Sequence, residues 1–157
     1  MKYTVNNIAR IIGAVTSNDS DALIDHLLID SRKIVFPARS VFFALPGPRR
    51  DGHDFIPEVY DRGVRSFVVE TGFDSARWPD AAFLQVDSVL EALQTLAAYH
   101  RRLFNIPVIG ITGSNGKTIV KEWLFQLLSP EYNIARSPRS YNSQIGVPLS
   151  VWQLNES

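Results

Sequence analysis

The sequence predicts an α/β protein in two parts: a small mixed α/β domain over residues 1–105, and the beginning of a second α/β domain over residues 106–157. Short apolar segments alternate with amphipathic ones through the first part, which is the pattern of strands and helices that share one core. Asn105-Ile106-Pro107 then interrupts the last amphipathic segment, which marks a boundary near residue 105. Beyond it, an apolar run leads into a turn with two glycines and a further amphipathic segment.

The first elements follow from caps and periodicity. Thr4 precedes an amphipathic run that Gly13 closes, which predicts a short helix. Residues 23–29 alternate loosely between apolar and polar, and residues 40–45 form a continuous apolar run, so both predict strands. Between the second run and the next helix lies a loop, 46–53, that is dense in turn-forming and basic residues.

The remaining elements of the first part are a helix, two strands and a long helix. Asp54 is expected to cap a helix that runs to about Arg62, and Gly63 ends it. Residues 65–70 and 82–86 predict strands, which makes a βαβ-like unit with the preceding strand. Ser88 and Glu91 form a capping box at the start of a long helix with an apolar face. His26 and His100 are expected at the surface.

Composition excludes several classes of protein. The net charge is zero, so no nucleic-acid partner is expected. The chain has no cysteine, which excludes disulfides and thiolate metal sites and fits a reducing compartment. No apolar stretch approaches the length of a membrane span, and the N-terminus has no apolar signal region. We therefore expect a cytoplasmic protein without membrane insertion.

The glycine-bearing turn has the composition of a phosphate-binding loop. Gly113 and Gly116 allow the backbone amides to turn inward, and the following helix offers free N–H groups and a positive dipole end to an anion. Lys117 is expected to reach the outer phosphates of ATP, and the hydroxyl of Thr118 to ligate Mg²⁺. The alternative is an ordinary βα turn with a solvated Lys-Thr pair. The residues expected to bind the nucleotide are Gly113, Ser114, Asn115, Gly116, Lys117 and Thr118.

Two polar stretches follow predicted strands and are candidates for binding a substrate. Ser31 and Arg32 follow the first of these strands, and Asp51, Gly52 and His53 lie in the loop after the second. Strand ends at one edge of a sheet form a binding crevice, where arginine and turn amides can hold a diphosphate. Taken alone, each stretch also fits an ordinary charged loop.

The second part is shorter than a phosphate-loop domain. One helix and two strands are expected after residue 105, the strands over 108–112 and 132–135. No apolar strand that ends in Asp or Glu follows Thr118, although such domains hold Mg²⁺ with a second acidic segment. We expect the chain to be the N-terminal piece of a larger enzyme, and the strand over 108–112 to promote self-association.

With these residues in view, the chain resembles the Mur ligases, the ATP-dependent enzymes that add amino acids to peptidoglycan precursors. The resemblance runs essentially from end to end. Its last part is most similar to the branch of the family that adds D-Ala-D-Ala, and residues 137–144 are reminiscent of members fused to an alanine racemase. The stretches that carry the resemblance are Asp30-Ser31-Arg32, Phe42–Gly47, Asp51–Ile56, Ile111–Thr118 with Lys121-Glu122, and Tyr141–Leu149.

The resemblance implies a UDP-sugar-binding first domain and a truncated ATP-binding central domain. It implies the substrates UDP-N-acetylmuramoyl-tripeptide and D-Ala-D-Ala, with ATP and Mg²⁺ as cofactors. Lys117 and Asn142 are then catalytic, and Ser31, Arg32 and the loop 51–53 bind the UDP substrate. Further groups that the family's site needs, including an acidic Mg²⁺ ligand, a histidine and a carbamylated lysine, are not found in residues 1–157, so we expect these residues alone to be inactive. The alternatives are the ligase that adds the third residue, a non-catalytic nucleotide-sugar-binding module, and a P-loop kinase.

Overall fold

The structure is a computed structural model that describes residues 3–48, 50–138 and 143–155. The chain divides into two compact units, Met1–Leu96 and Ala97–Ser157. The division falls inside a long helix, upstream of residue 105. The domain boundary at 105 stays a prediction.

The described residues of the first unit form seven strands and two helices between them, and a third helix runs from this unit into the second. Three 3-10 turns, over Ser31–Lys33, Pro37–Arg39 and Gly52–Phe55, join some of these elements. In chain order the elements are β1 (Tyr3–Thr4), α1 (Val5–Ile12), β2 (Val15–Thr16), β3 (Leu23–Ile24), β4 (His26–Leu28), β5 (Ser40–Phe43), α2 (Ile56–Asp61), β6 (Ser66–Glu70), β7 (Ala82–Val86) and α3 (Val89–Arg102).

Five of the strands form one mixed sheet in the order β2-β7-β6-β5-β4. β4, β5, β6 and β7 are parallel neighbours, while β2 pairs antiparallel with β7 at the edge. β1 and β3 form a separate antiparallel pair. The βαβ-like unit predicted around residues 40–70 is present as β5-α2-β6, and the mixed α/β architecture is confirmed.

Apolar side chains fill the core on the central strands. Every residue of β5 is buried, and so are the first four residues of β6, as is usual for parallel strands covered on both faces. The ring of Phe67 stacks on that of Phe83 with centroids 5.0 Å apart, and it meets Phe42 edge-on at 6.3 Å. Each such ring contributes about 1.5–3 kcal/mol by leaving water. The packed core holds these strands in place, and with them the loops that follow the strands.

Helix α1 and the start of α3 show how local residues set element bounds. The Thr4 hydroxyl accepts a hydrogen bond from the Asn7 N–H and the Asn7 side chain accepts from the Thr4 N–H, so Thr4 caps α1 as predicted. Gly13 ends α1 with a φ of 67°. Ser88 accepts from the N–H of Glu91 at the start of α3, which confirms that cap.

Two of the expected bounds are wrong. The strand expected over 23–29 is two short strands, β3 and β4, because Asp25 between them donates its N–H to the Arg39 carbonyl and its carboxylate forms an ion pair with the Arg39 guanidinium. The helix expected from Asp54 begins only at Ile56. Asp51, not Asp54, caps the preceding 3-10 turn, since its carboxylate accepts from the His53 N–H. The strands β1 and β2 are only two residues long, and no pattern in the sequence predicts them.

The second unit has two further helices, α4 (Lys117–Leu128) and α5 (Gly146–Val151). Helix α4 confirms the helix expected after the glycine loop. The strands expected over 108–112 and 132–135 are wrong: both segments are irregular, and Val108 and Ile109 are exposed. A strand requires a neighbour for its ladder of hydrogen bonds, and the part of this unit that the structure describes supplies none for either segment.

His100 is buried, which corrects the expectation of a surface histidine. Its Nε2 lies 3.0 Å from the carbonyl oxygen of Leu154, and its ring packs against Trp152 with centroids 4.7 Å apart. Burial lowers the pKa of His100, and the hydrogen bond to Leu154 partly opposes this. His26 is exposed as expected. No helix among the described residues is long and apolar enough to cross a bilayer.

Candidate functional site

The carboxyl ends of four parallel strands lie at one edge of the first unit's sheet. The turn with Ser31 follows β4, the loop that ends in Asp51 and Gly52 follows β5, and Thr71 follows β6. Because the strands are adjacent and parallel, their following loops share this edge. The structure therefore brings the two polar stretches singled out in the sequence to the same edge of the sheet.

The turn after β4 is held by its own charged residues. The guanidinium of Arg32 donates to the Asp30 carboxylate through Nε and Nη2, both at 2.9 Å, and the Arg32 N–H donates to Asp30 at 3.1 Å. Ser31 between them is buried. Arg62, from the end of α2, donates to the Ser31 carbonyl and fixes this turn from the other side. Most of the Arg32 side chain stays in solvent, with 85% of it exposed.

The loop after β5 is closed by a close backbone approach at Gly52. Its N–H donates to the Leu45 carbonyl at 2.9 Å. A Cβ on Gly52 would lie 2.5 Å from the Leu45 nitrogen and 2.6 Å from the Ala44 carbonyl carbon, so glycine is required for space. The Asp51 carboxylate accepts from the backbone N–H of His53 at 2.9 Å and lies 2.6 Å from its ring Nδ1. The Asp51 side chain is half-exposed.

Hydrogen bonds also connect the loop after β6 to the end of β7. Thr71 donates its N–H to the Val86 carbonyl at 2.9 Å and its hydroxyl to the Asp87 carboxylate at 3.2 Å. The Gly72 N–H donates to the Gln85 side chain. The loops at this edge are thus held before any ligand binds, which lowers the entropic cost of binding.

The carboxylates of Asp30 and Asp51 are both ionised at neutral pH. The hydrogen bond from the Arg32 guanidinium lowers the pKa of Asp30 to about 2, and the same pair raises the pKa of Arg32. The backbone hydrogen bond from His53, followed by the bond from its ring, lowers the pKa of Asp51. Since Asp30 already neutralises Arg32, an anionic ligand would have to share this arginine with the carboxylate.

The glycine loop of the second unit has the backbone of a phosphate cradle. Gly113 and Gly116 adopt φ of 145° and 78°, both in the region that side chains avoid. Gly116 caps α4 without a side-chain hydrogen bond, so no side chain occupies the N–H groups of the first turn. Ser114, Asn115 and Thr118 are exposed. The arrangement leaves donors and a positive dipole end available to an anion.

Lys117 folds back over this loop. Its ammonium group donates to the carbonyl of Gly113 and lies 3.5 Å from that of Ser114. A phosphate in the loop would attract the same ammonium, which would then exchange neutral carbonyls for a charged acceptor. The Thr118 hydroxyl is the one predicted Mg²⁺ ligand here. The described residues hold no cluster of three His, Asp or Glu side chains that would suit a metal ion.

The segment after α4 is tied to that helix by charged residues. Lys121 donates to the Ser137 carbonyl at 2.8 Å, and Glu122 pairs with Arg136. The Arg136 guanidinium also lies 3.8 Å above the centre of the Phe125 ring. Asn142, predicted to be catalytic, lies outside the described residues.

Sequence reasoning missed Arg62 and Glu70. Arg62 was considered only as the end of a helix, and Glu70 only as the end of a strand. Each makes a contact at the sheet edge that involves a backbone group: Arg62 donates to the Ser31 carbonyl, and Glu70 donates its own backbone N–H to the His53 ring. A backbone partner leaves no trace in a residue pattern, so no signal in the sequence could have found them.

The model of the Mur ligase family, catalytic domain, matches residues 23–101, which is half of the chain. These residues precede the phosphate loop and include the sheet edge described above. The chain belongs to the Mur ligase family.

Among curated proteins the chain is similar to UDP-N-acetylmuramoyl-tripeptide–D-alanyl-D-alanine ligase of Synechocystis sp., with 37% identity over 142 residues, covering 90% of the chain and 31% of the relative. It is also similar to UDP-N-acetylmuramoyl-L-alanyl-D-glutamate–2,6-diaminopimelate ligase of Geobacter metallireducens, with 41% identity over 118 residues, covering 73% of the chain and 22% of the relative. The chain thus spans about a third or less of the length of these relatives.

Two solved structures share the fold. MurF from Acinetobacter baumannii superposes with a TM-score of 0.89 at 29% identity, covering 99% of this chain and 34% of that one. MurF ligase from Thermotoga maritima in complex with ADP superposes with a TM-score of 0.69 at 31% identity, covering 81% of this chain and 28% of that one.

Proposed function

We propose that this chain is the N-terminal part of the ATP-dependent ligase that adds D-Ala-D-Ala to UDP-N-acetylmuramoyl-tripeptide in peptidoglycan synthesis. The loop Gly113–Thr118 at the start of α4 carries the proposal, because its two positive-φ glycines and uncapped first turn form an anion cradle. Similarity to a UDP-N-acetylmuramoyl-tripeptide–D-alanyl-D-alanine ligase over 90% of the chain supports the choice of substrates. A ligase that consumes ATP and a UDP-linked precursor works in the cytoplasm.

In the proposed reaction, a carboxylate oxygen of the tripeptide attacks the γ-phosphorus of ATP and ADP leaves. The amine of D-Ala-D-Ala then attacks the resulting acyl phosphate, and inorganic phosphate leaves as the amide bond forms. Lys117 and the loop amides hold the phosphates, and Asn142 is the second residue proposed to be catalytic. Positioning and charge neutralisation provide most of the catalysis in such transfers. The Thermotoga maritima ligase was solved in complex with ADP, which supports nucleotide binding by this family.

The magnesium site would draw one ligand from these residues, the hydroxyl of Thr118. An exposed hydroxyl oxygen in the first turn of α4 suits a hard cation, so the residue fits the ion. Bound Mg²⁺ neutralises charge on the phosphate oxygens during transfer. In this proposal the 157-residue chain supplies only this ligand and is inactive by itself for that reason.

The first domain, residues 1–105 in this proposal, holds the UDP part of the substrate at the carboxyl edge of its sheet. Arg32, with most of its side chain in solvent, faces the diphosphate, and Ser31 beside it belongs to the same turn. Asp51 and Gly52 contribute the loop after β5, and His53 belongs to the site through that loop. The loops are already tied to neighbouring strands, which supports a preformed pocket.

Substitution of Lys117 by alanine tests the phosphate loop. In the full-length protein we expect Lys117→Ala to lower the rate of phosphate release by about 10²–10³-fold, the usual effect of removing a group that stabilises developing charge. Arg10→Ala is the control, because Arg10 is an exposed cation on α1. Unchanged phosphate release in Lys117→Ala would contradict the proposal and leave a non-catalytic nucleotide-sugar-binding module as the better interpretation.

The ligase that adds the third residue is the second candidate. The diaminopimelate ligase of Geobacter metallireducens is 41% identical to the chain over 118 residues, a higher identity over a shorter stretch than that of the Synechocystis relative. Both candidates use a UDP-muramoyl peptide and ATP, and they differ in the amine. Phosphate release that depends on D-Ala-D-Ala would favour the first candidate, and release that depends on a diamino acid would favour the second. A P-loop kinase would release ADP without either amine.

A further inference from the structure

The ring of His53 uses both of its nitrogens within the protein. Nδ1 lies 2.6 Å from an oxygen of the Asp51 carboxylate, and Nε2 lies 3.1 Å from the backbone nitrogen of Glu70. The Glu70 N–H is a donor only, so Nε2 must be the acceptor. The proton of the neutral ring is then on Nδ1, where it is donated to Asp51. The contacts therefore select one tautomer.

These two hydrogen bonds join a loop to a strand. Asp51 lies at the end of the loop that Gly52 closes against Leu45, and Glu70 is the last residue of β6, which neighbours β5 in the sheet. The ring also packs against Phe73, with centroids 5.6 Å apart. Only 15% of the His53 side chain is exposed. The loop follows β5, and His53 thus fixes the end of this loop to the neighbouring strand β6.

We propose that His53 is a positioning residue of the nucleotide-sugar site, which holds this loop on β6 and makes no bond to the ligand. The proposal rests on the function proposed above. Both ring nitrogens are engaged in the protein, so the ring offers the ligand no further donor or acceptor, whereas Asp51 at the loop's end is half-exposed. The contribution of His53 to affinity is preorganisation of the loop, which a side chain that keeps the bond to the Glu70 N–H can provide.

Two amide variants separate the two bonds of the ring. In His53→Gln the amide oxygen lies about where Nε2 was and accepts from the Glu70 N–H. In His53→Asn the amide nitrogen lies about where Nδ1 was and donates to Asp51, but the side chain is too short to reach Glu70. His26→Gln is the matched control, because His26 is an exposed histidine that stacks on Phe36.

The experiment is calorimetric titration of the 157-residue chain with UDP-N-acetylmuramoyl-tripeptide, with thermal melting to confirm that each variant is folded. We expect His53→Gln and His26→Gln to bind within about threefold of the wild type. His53→Asn and His53→Ala, which both lose the bond to β6, should bind about tenfold more weakly, as expected for one lost hydrogen bond. Equal weakening in His53→Gln and His53→Ala would show that the ring contacts the ligand and would overturn the proposal.

Proton–nitrogen NMR of the imidazole rings is the second readout. The chain has three histidines, so His26→Gln and His53→Gln suffice to assign all three rings. We expect the neutral His53 ring to carry its proton on Nδ1, with and without ligand. A proton on Nε2, or one that moves to Nε2 on binding, would overturn the proposal. If the wild-type chain does not bind the ligand, both the proposed function and the positioning role of His53 are overturned. If it binds and no variant changes the affinity, only the positioning role of His53 is overturned.

Discussion

Among single residues, Gly52 is constrained by space alone. Its backbone φ lies outside the left-handed region, so conformation does not demand glycine. A methyl group at Gly52 would instead meet three backbone atoms, the nearest 2.5 Å away on Leu45. Backbone atoms at the end of β5 cannot rotate aside as a flexible side chain can. The loop after β5 therefore closes only around glycine.

Gly52→Ala is expected to destabilise the first unit by about 1–3 kcal/mol, the usual cost of forcing a group into a packed place. Thermal unfolding followed by circular dichroism measures this as a lowered Tm. Gly110→Ala is the control, because an added Cβ at Gly110 would meet no atom within 4 Å. Equal melting temperatures for the two variants would contradict the account of this turn.

The burial of His100 predicts how the stability of the second unit depends on pH. Burial lowers the pKa of His100 in the folded protein, whereas the unfolded chain keeps a value near about 6.5. Below that pH the unfolded state binds the proton more readily. The contribution of His100 to stability is therefore complete above about pH 6.5 and is lost as the pH falls towards the folded pKa.

Urea unfolding at about pH 7.5 and about pH 5.5 tests this, since histidine changes its charge between these values. We expect the free energy of unfolding to fall more in the wild type than in His100→Gln. Glutamine does not titrate and can still donate a hydrogen bond to the Leu154 carbonyl. An equal fall in both proteins would show that His100 is not the group responsible.

At the scale of elements, the ends of the helices are determined locally. Thr4 and Asn7 satisfy each other's N–H groups at the start of α1, and Gly13 ends that helix in the left-handed region. All the groups involved lie within one turn of the residue they cap. This is why the bounds of α1 and the start of α3 could be predicted from the sequence.

Removal of the hydroxyl at Thr4 should weaken this helix end. We expect Thr4→Ala to lower the free energy of unfolding of the first unit by about 1 kcal/mol, the typical cost of losing such a cap. Thr4→Ser keeps the hydroxyl and should leave stability nearly unchanged. A loss in the serine variant as large as in the alanine variant would assign the effect to the methyl group rather than to the cap.

Strands were harder to predict because they depend on distant partners. Residues 82–86 were predicted to the residue, since both neighbours of β7 are present and its apolar run is long. Residues 108–112 are equally apolar yet form no strand, because the described part of their unit offers no strand to pair with. β1 and β2 are too short to show any periodicity. The polar stretches of the site were visible in the sequence, but the backbone groups that hold them were not.

For the whole molecule, the second unit leaves much apolar surface in solvent. Side chains of α4 are prominent in it: Trp123 is 63% exposed and Leu127 is 74% exposed. Val108, in the segment before the glycine loop, is 67% exposed. Apolar surface of this extent on one unit favours association.

We predict that the 157-residue chain self-associates as its concentration rises. The segment 108–112 was expected to act as a strand; the structure adds the exposed face of α4 to that surface. Sedimentation velocity should show a rising weight-average mass in the wild type and less of a rise in Trp123→Glu. A clean monomer at high concentration, or equal association in the variant, would contradict this prediction.

Phosphate release by the full-length protein tests the central claim most directly. The protein would receive ATP, Mg²⁺ and UDP-N-acetylmuramoyl-tripeptide, with and without D-Ala-D-Ala. We expect release that requires both the tripeptide and D-Ala-D-Ala. Release that ignores D-Ala-D-Ala but requires a diamino acid and the UDP-muramoyl dipeptide would contradict the choice of substrate and assign the chain to the third-residue ligase. No release with any pair of substrates would contradict the assignment of a ligase.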